Sequence, residues 1–194
     1  MLPPLKQPEI HIIAGPNGAG KSTFYELVLS PSGMQFVNAD VLAARYWPNE
    51  QAERAYDAAQ MASQIREDLI ASKRSFVTET VFSHESKLGL MRKAGRNGYV
   101  ITLHIVIVPE DLAVARVHNR VRHGGHAVPE DKIRSRYQRL WKHVAEAIRI
   151  ADDAYVYDNS SAANAYERIA HYQMGQNTHP VSWPTWAPAD IVAI

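Results

Sequence analysis

Eight residues near the start of the chain, Gly15-Pro16-Asn17-Gly18-Ala19-Gly20-Lys21-Ser22, carry the spacing G-x-x-x-x-G-K-[ST]. Glycines in such a loop let backbone N–H groups turn inward around a β-phosphate, where side chains would intrude. A helix beginning near Lys21 points its positive end at the same anion. Lys21 is then placed to reach the β- and γ-phosphates, and Ser22 to offer its hydroxyl to Mg²⁺. Thr23 completes the expected nucleotide-binding set, Gly15 to Thr23. An apolar stretch precedes the loop and a helical pattern follows it, which is the setting this cradle needs.

Three further groups could turn a nucleotide site into a catalyst. Asn38-Ala39-Asp40 follows a short apolar run, and the carboxyl ends of strands face the ligand crevice in an open α/β sheet. Asp40 there either takes a proton from a substrate hydroxyl or caps the next helix. Thr78-Glu79-Thr80 ends an apolar run, and a carboxylate is costly to bury without a partner. Glu79 therefore lines the crevice, for substrate or Mg²⁺, or pairs with a cation; Asn38 and Thr80 are counted with it as acceptor-binding candidates. Between Arg116 and Lys142 eight basic residues face two acids. Arg116 and Arg120 share a helix face, Gly124-Gly125 breaks the chain, and the next helix carries Arg134, Arg136 and Arg139. Two basic helices joined by glycines suggest a small lid, with Arg120 and Arg136 the candidates for stabilising a transferring phosphoryl group. Solvated surface charge is the plainer reading of the same segment. His118, His123 and His126 are close in sequence but carry no H-E-x-x-H and no cysteine, and His126 beside the hinge is expected to contact phosphate rather than zinc. The run Tyr99 to Val108 ends without an acid, so no Walker-B carboxylate is evident there, nor is a water-orienting glutamine. A GTPase or motor is thereby disfavoured against a small kinase.

These groups need a frame. Strands are expected at Glu9–Ala14, 35–38, 75–81, 99–108 and 154–157, alternating with helices at 21–29, 49–72, from Ser83 to Lys93, at 110–122, and from Pro129 to about Ala151. A further helix is expected from about Ala162. Alternation of this kind means an α/β fold, a mostly parallel sheet with helices on both faces. The 194 residues suit a single domain: a core over about 9–160, the lid over about 116–142 and a C-terminal extension over about 161–194. Trp183 and Trp186 in that extension are expected to pack on the domain surface. With 46% apolar and 21% charged residues the chain is ordinary globular protein. No run suits a membrane span or a signal peptide, and cysteine is absent, so the cytoplasm is the default location. A net charge of +1 and the lack of interleaved aromatics argue against a nucleic-acid partner.

Taken together, IAGPNGAGKST at 13–23, FVNAD at 36–40, FVTET at 76–80 and RVHNRVRHGGHAVPEDKIRSRYQR at 116–139 resemble the zeta toxin family of P-loop kinases. The resemblance implies a P-loop kinase-like fold and ATP-dependent phosphorylation of the sugar in UDP-N-acetylglucosamine, with Mg²⁺. It implies Asp40 as catalytic base, Glu79 as sugar-binding acid and Arg120 as phosphate-stabilising arginine, with His126 or Arg136 near the second arginine's place. It also implies a small antitoxin protein as partner. Two rivals stay open: a kinase of another small molecule or of a nucleic-acid end, and an ATP-gated binding protein with little transfer.

Overall fold

The computed structural model describes residues 7–123 and 128–194. The expected hinge glycines Gly124 and Gly125, and His126, lie outside the described residues.

The chain runs β1 (Glu9–Ala14), α1 (Lys21–Phe24), β2 (Gln35–Val37), α2 (Ala39–Tyr46), α3 (Ala55–Ala71), β3 (Phe76–Thr80), α4 (Ser86–Arg96), β4 (Val100–Ile107), α5 (Glu110–Arg122), α6 (Glu130–Ile150), β5 (Asp153–Asp158), β6 (Glu167–Gln173), β7 (Gln176–Asn177) and α7 (Ala189–Val192). The strands form one sheet in the order β2-β3-β1-β4-β5-β6-β7. The first five are parallel; β6 and β7 are antiparallel. Ile105, Val106, Ile107 and Val108 are all fully buried, as residues of a strand covered on both faces must be. β1 lies between β3 and β4, so chain connections leave it in opposite directions. That switch point is where an open α/β sheet holds its ligand.

Several expectations are corrected. The helix expected over 49–72 starts only at Ala55. Pro48 forces Trp47 out of helical geometry (φ −138°, ψ 62°), ending α2, and turns occupy the interval before α3. The helix expected from Ser83 begins at Ser86, with Glu85 at the cap position and no side-chain cap bond, and runs on to Arg96. The helix expected from about Ala162 is instead the strand β6. Met174 and Gly175 both have positive φ (49° and 75°) between the paired residues Gln173 and Gln176. This is a two-residue hairpin whose twist suits antiparallel strands. Helix α1 also passes into a π-helical turn over Tyr25–Leu29.

Helix α6 is anchored from its middle onward. Tyr137, Leu140, Trp141, Val144 and Ile148 lie in the main core, and the Tyr137 hydroxyl donates to Val108 O at 2.9 Å. Its first turns meet α5 around a small separate cluster of Val114, Val117 and Ile133. Arg134 ties the two helices, bonding Glu130 (2.9 Å), Asp111 (2.9 Å) and Glu110 (3.3 Å). Those contacts raise its pKa further above the ordinary arginine value, the bond to Glu130 contributing most. Arg134 is thus a strut between helices. The tail packs as expected, Trp183 and Trp186 lying against the core and Ile191 fully buried, with the addition of α7. Among the described residues no helix is long and apolar enough to cross a membrane.

Candidate active site

The loop after β1 can close only because its turning points have no side chain. A Cβ on Gly15 (φ +146°) would meet Val106 O at 2.3 Å, and one on Gly20 (φ +93°) would meet the Asn159 amide at 2.7 Å and the Tyr166 hydroxyl at 2.8 Å. The last two groups hold the loop from outside: Asn159 Nδ2 donates to Ala19 O at 2.8 Å and Tyr166 Oη to Gly20 O at 2.8 Å. Both come from the C-terminal side of β5, far away in sequence, and sequence reasoning missed them. The surprising strand β6 begins immediately after Tyr166, which explains how that residue is brought back to the loop.

Lys21 opens α1 with its side chain buried. Its ammonium donates to Pro16 O at 2.9 Å and stands 3.7 Å from Glu79. Burial pushes its pKa below the ordinary lysine value, against the opposing pull of Glu79 and Asp40; Arg120 adds to the depression. A lysine so placed is electrostatically incomplete and suited to an added anion.

Glu79 sits near the end of β3, the strand beside β1. Its carboxylate accepts from Ser22 Oγ (2.9 Å) and Asn38 Nδ2 (2.8 Å). Glu79 thus lines the crevice and pairs with a lysine at the same time. Strand β3, the other neighbour of β1, carries a carboxylate near its end where β4 carries none. An exposed serine hydroxyl against a carboxylate supplies hard oxygen donors, and Mg²⁺ needs only one or two protein oxygens when substrate phosphates and water supply the rest. Ser22 and Glu79 fit that role.

Asn38, not Asp40, caps α2: its Oδ1 accepts from the amides of Asp40 (2.7 Å) and Val41 (3.3 Å). This releases the Asp40 side chain, which is exposed in the first turn. A cavity of about 270 Å³ brings together Lys21, Ser22, Thr23, Asp40, Glu79 and Arg120. Arg116, one turn before Arg120 on α5, lines it as well. Asn17, Gly18 and Gly20 form its loop side. Arg136 is half-buried on α6 and is not among the cavity's lining residues. A second cavity of about 150 Å³ adjoins the first through Asp40 and Glu79 and includes Asn38 and Thr80. Arg66 and Lys87 also line it, and sequence reasoning missed both.

Comparison with known proteins agrees with this frame. A Haemophilus influenzae protein described as uncharacterized is 29% identical over 125 residues, covering 63% of this chain and 88% of that one. A structure from the PezAT chromosomal toxin–antitoxin system of Streptococcus pneumoniae superposes with a TM-score of 0.61 at 12% identity, over 86% of this chain and 72% of that chain. A structure of AvrRxo1-ORF1:-ORF2 with ATP gives 0.69 at 14%, over 89% and 60%. Shikimate kinase from Acinetobacter baumannii, in complex with shikimate, gives 0.54 at 18%, over 82% and 87%. At such identities the likeness is one of fold, and the fold is that of the P-loop kinases. A family model described as an AAA domain matches residues 10–143, which hold the phosphate loop, Asp40, Glu79 and both cavity arginines, and the chain belongs to that AAA domain family, AAA_33.

Proposed function

We propose that the protein is an ATP-dependent phosphotransferase whose acceptor is the hydroxyl of a small molecule. The observation that carries this reading is a single cavity in which the phosphate loop with Lys21 and the exposed carboxylate of Asp40 share one space. In a GTPase the cavity would instead need a group that orients water.

In the proposed reaction the triphosphate lies along the amides of 15–22, and Lys21 exchanges its bond to Pro16 O for phosphate oxygens. Ser22 and Glu79 would hold Mg²⁺, which when bound offsets charge on the phosphate oxygens. Asp40 orients the acceptor hydroxyl and takes its proton. The acceptor oxygen forms the new bond to the γ-phosphorus, the bond to the β–γ bridging oxygen breaks, and ADP leaves. Arg120 and Arg116 stabilise charge on the equatorial oxygens. Positioning and electrostatics supply most of such acceleration.

The resemblance to zeta toxins points to UDP-N-acetylglucosamine as acceptor and to a toxin held by a small antitoxin protein. Fold likeness to a component of a toxin–antitoxin system supports that direction. The test is incubation of the protein with labelled ATP, Mg²⁺ and a metabolite extract, with UDP-N-acetylglucosamine, nucleosides and 5′-hydroxyl oligonucleotides as separate acceptors. A phosphorylated small product, absent with Asp40→Asn, is expected. Tight ATP binding with no labelled product in any arm would replace the enzyme with an ATP-gated binding protein.

A further inference from the structure

Helix α3 turns a narrow stripe toward the core: Ala58, Ala62, Arg66, Leu69 and Ile70 are its buried residues. An arginine on that stripe is anomalous. Arg66 is 8% exposed, yet its guanidinium makes no hydrogen bond and no ion pair among the described residues. The adjacent carboxylate, Glu67, is engaged elsewhere, 3.5 Å from Lys93 Nζ. Glu79 is held by Ser22, Asn38 and Lys21, and neither it nor Asp40 pairs with Arg66. Burying a guanidinium without a counter-charge is costly, and proteins rarely do so without a purpose.

The surroundings supply the purpose. Arg66 lines the cavity of about 150 Å³ beside Asp40, together with the small side chains of Ala59 and Ala62. Lys87, in the first turn of α4, lines the same cavity, and its ammonium also makes no hydrogen bond and no ion pair among the described residues. Two cations thus line one cavity, and its two carboxylates, Asp40 and Glu79, form no ion pair with either. Burial lowers the pKa of both groups, Glu67 partly opposing this for Arg66 and the charge of Arg66 adding to it for Lys87. A missing negative charge is the common explanation.

We infer that Arg66 and Lys87 form an oxyanion clamp, and that the phosphoryl acceptor is an anionic alcohol carrying a carboxylate or phosphoryl group beside the hydroxyl that faces Asp40. The inference rests on the kinase reading for the hydroxyl but not for the anion. Because the two cavities share Asp40 and Glu79, one small molecule spans them: its hydroxyl at Asp40, its anion at the arginine. A neutral alcohol would leave the two cations uncompensated and would be rejected on electrostatic grounds.

The experiment separates the clamp from the chemistry. The protein is saturated with a nonhydrolysable ATP analogue and Mg²⁺, so that the phosphate loop is filled, and is titrated calorimetrically with malonate and, separately, inorganic phosphate. At least one anion is expected to bind, with affinity lowered about tenfold or more in Arg66→Met and measurably in Lys87→Gln, since charge-assisted bonds are lost. Malonate binding alone points to a hydroxy acid; phosphate binding alone points to a phosphorylated acceptor, including a nucleotide sugar. Ligand-free Arg66→Met is expected to melt no lower than wild type, because it removes an unpaired buried charge. If that variant does not fold, Lys87→Gln at its half-exposed position decides by the same criterion. Absence of anion binding to the wild type, or equal affinity in wild type and the folded variants, overturns the clamp. A protein that binds the anions through Arg66 yet transfers phosphate to nothing refutes the kinase reading and leaves the clamp standing.

Discussion

Lys21 shows how one side chain can prepare a site. Its ammonium spans the loop by donating to Pro16 O, which holds the charge at the centre of the turn. Removing it takes away the charge meant for the β- and γ-phosphates. Lys21→Ala is expected to lower transfer by at least about a hundredfold, measured as steady-state turnover, because a preorganised charge in a water-poor site is not replaced by solvent. Asp40 is different. Its side chain makes no bond within the α2 cap, so Asp40→Asn should leave the fold and ATP affinity intact while lowering turnover about 10²–10⁴-fold. Titration with a fluorescent ATP analogue beside the rate assay separates the two; an Asp40→Asn enzyme with wild-type turnover would remove the base assignment. Asp40 and Glu79 were both legible as candidate crevice carboxylates because each interrupts apolar sequence at a strand end. Arg66 was not, since one basic residue in a helix is unremarkable until the buried stripe is known.

At the scale of elements, the loop between β1 and α1 depends on a segment that arrives more than a hundred residues later. Asn159 and Tyr166 flank β5 and β6 and grip Ala19 and Gly20 through their carbonyls. Asn159→Ala leaves the buried Ala19 carbonyl without its partner and should cost about 1–3 kcal/mol in denaturant unfolding, together with weaker ATP binding. Gly20→Ala places a methyl group against both clamping side chains and strains a left-handed residue, at a cost of about 1–3 kcal/mol. Of the two, only Gly20→Ala should resist rescue by saturating nucleotide. A π-helical turn over Tyr25–Leu29 continues α1, the helix that opens on the loop.

For the molecule as a whole, the notable electrostatic feature lies away from the site. Rings stack across the sheet from His11 through His104 and Tyr155 to His171. His104 is 5% exposed and its Nε2 meets His11 Nδ1 at 3.0 Å. Burial, aided by the charge of His11, pushes its pKa down to about 3. The unfolded chain binds a proton at this residue near pH 6.5, whereas the folded chain does not until about pH 3. Stability contributed by the neutral ring is therefore complete above pH 6.5 and is lost as pH falls toward 3, at up to about 1.4 kcal/mol per pH unit. His104→Phe should flatten that part of the profile in urea unfolding at a series of pH values; an unchanged slope would assign the acid sensitivity to other groups.

Local features written in contiguous residues kept their form from sequence to structure. The phosphate cradle, the parallel α/β frame and the two crevice carboxylates each depend on spacing over a few residues or on strand and helix periodicity, and the chain states these directly. Contacts between distant segments were invisible: the Asn159 and Tyr166 grip, the placing of Glu79 against Ser22, and the burial of Arg66. The β6 hairpin was misread because seven mixed polar residues fit a helix or an edge strand until pairing with β5 selects one. Periodicity reports which residues share a face; which face meets which is a property of packing, where the energy of burial depends on residues that neither neighbour in sequence reveals.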